Sequence, residues 1–176
     1  MKSNNWYVIT GAPNSGKTSV VKLLEKEGYI VEYEAARIYI DKEIEKGRTI
    51  EDIRKNELEF QKGILDLKIE VEKKLPKDKI IFFDRAIPDS GAYYKLCGLD
   101  KDKYLDEAIE KSNYKKIFLF DLLPYKKDYA RTESEEEQEK IQKLLEQTYK
   151  NLDIPMVVVP AMNSKEDRLV FILNNL

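Results

Sequence analysis

The chain contains no histidine, so any proton transfer it performs must use a carboxylate, a lysine, a tyrosine or water. It has one cysteine, Cys97, which excludes an internal disulfide and fits a reducing compartment. No apolar run approaches the length of a membrane span, and the apolar part of "MKSNNWYVITG" is too short for a signal peptide. There is no excess of charge of either sign. Lys plus Arg number 31 against 33 Asp plus Glu, and this near balance argues against a dedicated nucleic-acid binder. Internal repeats, low-complexity tracts and interdomain linkers are absent as well. The expectation is one cytoplasmic domain over residues 1–176, large enough to bury a sizeable core.

What is present alternates strand with helix. "WYVIT" (6–10), "YIVEY" (29–33), "KIIFFD" (79–84), "KKIFLFDLL" (115–123) and "PMVVVP" (155–160) are short apolar runs suited to strands buried on both faces. Helical patterns separate them. One runs from Lys17 to a stop at Gly28, and one covers "EAARIYIDKEIEKG". A long one follows the Thr49–Asp52 capping-box pattern with an apolar stripe of Phe60, Ile64, Leu67, Val71 and Leu75. Others lie in "PDSGAYYKLCG", in "KDKYLDEAIEKS", in "EEEQEKIQKLLEQTYKNL", and after Ser164 with Asp167 three residues on. This alternation predicts an α/β fold: a five-stranded parallel sheet with helices on both faces.

Between the first strand and the first helix lies Gly11-Ala12-Pro13-Asn14-Ser15-Gly16-Lys17-Thr18-Ser19, a complete P-loop pattern in the context it requires. Its glycines let the backbone curl so that successive N–H groups point inward as an anion nest, and the helix N-terminus adds partial positive charge. Lys17 is positioned to neutralise the outer phosphates of a nucleotide, and the Thr18 hydroxyl to ligate Mg2+.

The third strand carries Asp84 to the C-terminal sheet edge, where ligands of open α/β sheets sit. Asp84 is a candidate for holding Mg2+, for accepting an acceptor's proton, or for both, and a plain strand-end capping role remains an alternative. The next residue is Arg85, which cannot act as a base but can hold phosphate oxygens bidentately. "DRAIPDSGAYY" resembles the signature of thymidylate and deoxynucleoside kinases. That resemblance implies catalytic roles for Asp84 and Arg85, with Ser90 and Tyr93 beside the acceptor. Ordinary helix–sheet packing is the other reading of Tyr93 and Tyr94.

In P-loop kinases the segment after the second strand reaches the acceptor, which makes Glu34 and Arg37 of "EYEAAR" candidates. An exposed ion pair three residues apart is the simpler alternative. The polar stretch 123–140 matches the position of a nucleotide-kinase lid, with Arg131 as the arginine that closes on the transferring phosphate along with Lys17. "PAMNS" (160–164) occupies the place of a base-lining loop, and Cys97 is expected to be a buried helix-end residue, not a nucleophile.

Taken nearly end to end, through "VITGAPNSGKT", "VEYEAAR", "IIFFDRAIPDSGAYY", Tyr129-Ala130-Arg131 and "EDRLVFIL", the chain resembles small P-loop proteins of the AAA-type ATPase group. That group includes the nicotinamide-riboside-kinase-like domains of NadR-type proteins. The resemblance implies sheet order 2-3-1-4-5. Arg85 stands where hydrolytic AAA motors place a water-activating Glu, which favours an ATP- and Mg2+-dependent phosphotransferase acting on a small nucleoside, nucleotide or related metabolite. The alternative is a nucleotide-dependent switch or NTPase working through a protein or lipid partner. Neither Asn-Lys-x-Asp nor Asp-x-x-Gly occurs, which counts against a G-protein version. The sequence does not fix the oligomeric state.

Overall fold

The computed structural model describes residues 4–124 and 134–176. Its strands are β1 (Trp6–Thr10), β2 (Ile30–Glu32), β3 (Ile81–Asp84), β4 (Lys116–Phe120) and β5 (Met156–Val159). All pair in parallel in the order β2-β3-β1-β4-β5, as the resemblance implied. The helices are α1 (Lys17–Lys26), α2 (Ala35–Glu45), α3 (Ile50–Arg54), α4 (Glu57–Lys74), α5 (Ile87–Leu96), α6 (Lys103–Lys111), α7 (Glu135–Lys150) and α8 (Lys165–Leu173). No described helix is long and apolar enough to cross a membrane.

Alternation along the strands divides the core between the two sheet faces. Tyr7, Ile9, Phe82, Phe118 and Phe120 pack against Val20, Val21 and Leu24 of α1 and Leu169 and Ile172 of α8. Trp6, Val8, Ile81, Phe83 and Ile117 face the other way, against Tyr114 and, from α7, Tyr149. Both faces are covered, which explains why β1 and β3 are apolar at nearly every position.

The long helix expected from Thr49 is two helices. The Thr49–Asp52 capping box forms, but α3 ends at Arg54. Asn56 then adopts an extended backbone and accepts from the Glu59 N–H at 3.2 Å, starting α4. The buried face of α4 is also rotated from the expected stripe: Phe60, Gln61, Ile64, Leu65 and Lys68 point inward, while Leu67 is half-buried. This follows from α4 packing against α5 on one side and α2 on the other. The fourth strand ends at Phe120, short of Pro124, where β4 leaves β5.

One buried polar relay fixes the start of α5, directly after Asp84 and Arg85. The Tyr114 hydroxyl accepts from the Ile87 N–H at 3.3 Å and donates to Glu72 Oε1 at 2.6 Å. Burial pushes the Glu72 carboxyl up to about 7, against the lowering pull of Tyr114 and Lys68. A carboxyl whose folded pKa exceeds its unfolded value stabilises the fold in its protonated form, and that contribution is lost as pH rises through 7. Glu72→Gln keeps an acceptor for Tyr114 without the charge. Its thermal midpoint should exceed that of the parent by at least about 2–4 °C near pH 8, with the gap shrinking as pH falls toward 4.5. An equal difference at both ends of that range would contradict the assignment.

Candidate active site

At the C-terminal edge of the sheet the chain leaves β1 through Gly11, whose φ of 141° is open to glycine and little else. A Cβ there would stand 2.7 Å from the Phe120 carbonyl oxygen. Asn14 and Gly16 also take positive φ, and Gly16 caps α1 in a left-handed conformation. The result is a concave loop ending on a helix N-terminus, the geometry of an anion cradle. Lys17 is buried, and its Nζ donates to the Ala12 carbonyl at 2.7 Å and to Ser15 Oγ at 3.1 Å. Burial, helped by the Arg85 charge, lowers its pKa to about 7, while Asp84, Glu34 and Asp89 pull the other way. Pro13 and Asn14 line the adjoining cleft, whereas Ser19 is exposed and does not.

Asp84, at the end of β3, is held against this loop. Its Oδ2 accepts from Thr18 Oγ1 at 2.7 Å, and Oδ1 is buried without a hydrogen-bond partner among the described residues. Burial pushes the Asp84 carboxyl upward, opposed by Lys17 and the Thr18 hydroxyl. The Thr18 hydroxyl and the Asp84 carboxylate, one oxygen of which is unengaged among the described residues, offer hard oxygen donors of the kind Mg2+ takes.

Arg85 has a φ of 68°, an uncommon left-handed conformation for a residue with a long side chain, and its own N–H donates to the Ile9 carbonyl at 3.0 Å. That backbone turn places a buried guanidinium under the cleft. Nε donates to Glu34 Oε1 at 3.0 Å, and Nη1 lies 3.6 Å from Asp89 Oδ1, beyond hydrogen-bond reach. The Tyr93 ring lies against the guanidinium at 5.2 Å. Asp89 is fully buried and accepts from Thr10 Oγ1 and Tyr149 Oη, both at 2.5 Å, and from the Ala86 N–H at 2.8 Å. Behind it, Lys68 donates to the Ala86 carbonyl at 2.8 Å and Ser90 Oγ at 3.1 Å.

These groups border a cleft of about 680 Å3 that includes Lys17, Thr18, Glu34, Arg85, Ser90 and Tyr93. The expected neighbours Glu34 and Arg37 part company here. Glu34 precedes α2 and turns to Arg85, while Arg37 is exposed and outside the cleft. Arg131 lies outside the described residues. Cys97 caps the end of α5 as anticipated, but it is half-buried and borders the cleft, with its thiol pushed up to about 11 by burial and by Glu57. In the 160–164 loop, the Pro160 carbonyl accepts from Arg168 Nε at 3.1 Å.

Sequence reasoning missed Gln61 and Lys68, whose signal was a polar residue on the apolar face of a helix. It also missed Asp89, Gln142 and Arg168, which bond to distant backbone or side chains and leave no local pattern. Asp89→Asn should cost about 3 kcal/mol, because it leaves the buried Arg85 charge without its innermost counter-charge. Urea denaturation should show a lower midpoint at unchanged slope, and an unchanged midpoint would contradict this role.

The chain resembles in fold the deoxyadenosine kinase from M. mycoides solved with products dCMP and dCDP (20% identity, TM-score 0.67, 97% of each chain covered). It also resembles the thymidylate kinase from Ehrlichia chaffeensis (14% identity, TM-score 0.65, 99% of this chain and 98% of that one). The thymidylate kinase from Candida albicans matches as well (15% identity, TM-score 0.57, 98% and 91% covered). No curated protein matches the sequence significantly. A family model described as an AAA domain matches residues 6–168, a span holding all five strands, the phosphate loop and the Asp84–Arg85 edge, and the chain belongs to that AAA domain family.

Proposed function

We propose that the protein is an ATP-dependent phosphotransferase that moves the γ-phosphoryl group of ATP to a small nucleoside- or nucleotide-like acceptor. The observation carrying this reading is that two carboxylates of the site are engaged differently, one by the Thr18 hydroxyl and one by Arg85. Asp84 is buried against the Thr18 hydroxyl, while Glu34 is partly open to the cleft and bonded to Arg85 Nε. On this reading the two carboxylate roles that the sequence left together on Asp84 are divided between Asp84 and Glu34. Asp84 and Thr18 are the groups that would hold Mg2+, which when bound neutralises phosphate charge. Glu34 is the carboxylate placed to take the acceptor's proton.

In the transfer, the acceptor oxygen forms a bond to the γ-phosphorus as the bond from that phosphorus to the β–γ bridging oxygen breaks. ADP departs and the acceptor's proton passes to Glu34. Lys17, held at the mouth of the loop, neutralises the outer phosphates. Arg85, whose side chain borders the cleft, supplies positive charge to the oxygens of the moving group. Arg131 completes this reading as the cation that closes over the phosphate, and Ser90 and Tyr93 border the acceptor.

The charge balance of the acceptor side supports an uncharged, hydroxyl-bearing acceptor over a phosphorylated one. Arg85 is matched by Glu34 and Asp89, Lys68 by a carbonyl and a hydroxyl, and Arg54 by Glu57 at 3.3 Å. A dianionic acceptor would meet the Glu34 carboxylate, and the remaining cleft lysine, Lys140, stands on the α7 wall near Glu137. Nucleosides, including deoxynucleosides and the nicotinamide riboside suggested by the NadR-type resemblance, head the acceptor panel. The second reading, an NTPase or switch, is favoured by membership of the AAA domain family, and it differs in needing no small acceptor.

The test is ADP release from MgATP with and without such acceptors. Release that rises with a nucleoside supports the kinase reading, whereas release indifferent to every acceptor supports the NTPase. Glu34→Gln should lower kcat by about 10^2- to 10^4-fold while leaving MgATP affinity nearly intact. Asp84→Asn should lose affinity and turnover together, and retention of MgATP affinity in that variant would return the proton-accepting role to Asp84.

A further inference from the structure

We infer that Gln142, on α7, is a positioning residue that sets the shape of the phosphate loop. The inference rests only on the nucleotide-holding half of the function proposed above. β1 and β4 run side by side as far as Thr10 opposite Leu119. There Gly11 turns the chain away, and the Ala12 N–H and the Phe120 carbonyl leave the parallel ladder. Gln142 takes both. Its Oε1 accepts from the Ala12 N–H at 2.8 Å, and its Nε2 donates to the Phe120 carbonyl at 3.0 Å. One planar side-chain amide thus replaces a peptide unit and adds a rung where the loop departs.

Few side chains can do this. Glutamate offers the acceptor but no donor, methionine matches the length with neither, and asparagine is one methylene shorter. The constraint is also shared with the loop itself. The Phe120 carbonyl that Gln142 engages is the atom that a Cβ at Gly11 would strike. The Ala12 carbonyl, one residue along, receives the Lys17 ammonium. Ala12 is therefore fixed through its N–H by α7 and through its carbonyl by Lys17. Because α7 also carries Glu137, Lys140 and Ile141 on the cleft wall and Tyr149 bonded to Asp89, its position is felt at both ends of the site.

A loop held in its binding shape before the ligand arrives does not have to be ordered at the moment of binding. Loss of Gln142 should therefore weaken nucleotide binding and free the Ala12 amide, leaving the centre of the sheet unaffected. Calorimetric titration of MgATP into the full chain, with amide hydrogen exchange on the unliganded protein, tests this. Gln142→Met should raise the MgATP Kd about tenfold and speed exchange at Ala12 by a similar factor, while exchange at Val8 inside β1 stays unchanged. Gln142→Glu should weaken binding at least as much, because it sets a carboxylate oxygen against the Phe120 carbonyl and adds negative charge beside the loop. It also provides the second variant should the methionine form fail to fold. If the parent binds MgATP and both variants bind within twofold of it with Ala12 protection unchanged, the inference is overturned. If exchange rises equally at Ala12 and Val8, the residue is merely structural and the inference also fails. A parent that binds no MgATP at all sinks the proposed function, and Ala12 exchange still decides the role of Gln142.

Discussion

A guanidinium withdrawn from water costs several kcal/mol unless counter-charges replace its hydration, and Arg85 meets that cost at the centre of the site. Glu34 engages it from the open side and Asp89 from beneath. Asp89 is fully buried, and Thr10, Ala86 and Tyr149 all donate to it in place of water. These donors come from the end of β1, the start of α5 and the last turns of α7, so one carboxylate binds three elements to the arginine. The left-handed backbone at Arg85 is tolerated for the same reason: the surroundings over-determine it.

The phosphate loop shares that frame without sharing its charges. Gly11 leaves the sheet against the Phe120 carbonyl, α7 supplies an amide at the point of departure, and Arg168 of α8 donates from behind to the Ser15 carbonyl at 2.5 Å while its guanidinium packs on Phe120. Thr18 then joins the loop to Asp84. The loop and the carboxylate–arginine edge thus meet through this hydroxyl–carboxylate bond, on the side where the proposed nucleotide's outer phosphates would lie.

Much of this was legible in the sequence because the signals are local. Strands covered on both faces read as unbroken apolar runs, and the phosphate loop is a contiguous string whose spacing carries its own physics. The turn at Arg85 follows the strand that delivers Asp84, so their adjacency was visible as well. The break at Asn56 was not read, although Asn56 with Glu59 three residues on is itself a cap pattern, because the stronger Thr49 signal suggested one continuous helix. Glu34 was placed near the site, but its partner is 51 residues away and not three. Pairings of that range, like those of Asp89, Gln142 and Arg168, are decided by how helices pack on the sheet and leave no periodicity to find.

In the proposed reaction the phosphoryl group goes to an acceptor hydroxyl under the control of Glu34 and Arg85, and not to water. Running the reaction with MgATP and a nucleoside in 18O-enriched water, and weighing the products by mass spectrometry, tests it directly. The expected product is a phosphomonoester of the acceptor carrying no label. Labelled inorganic phosphate as the main product, whether or not acceptor is present, would contradict it.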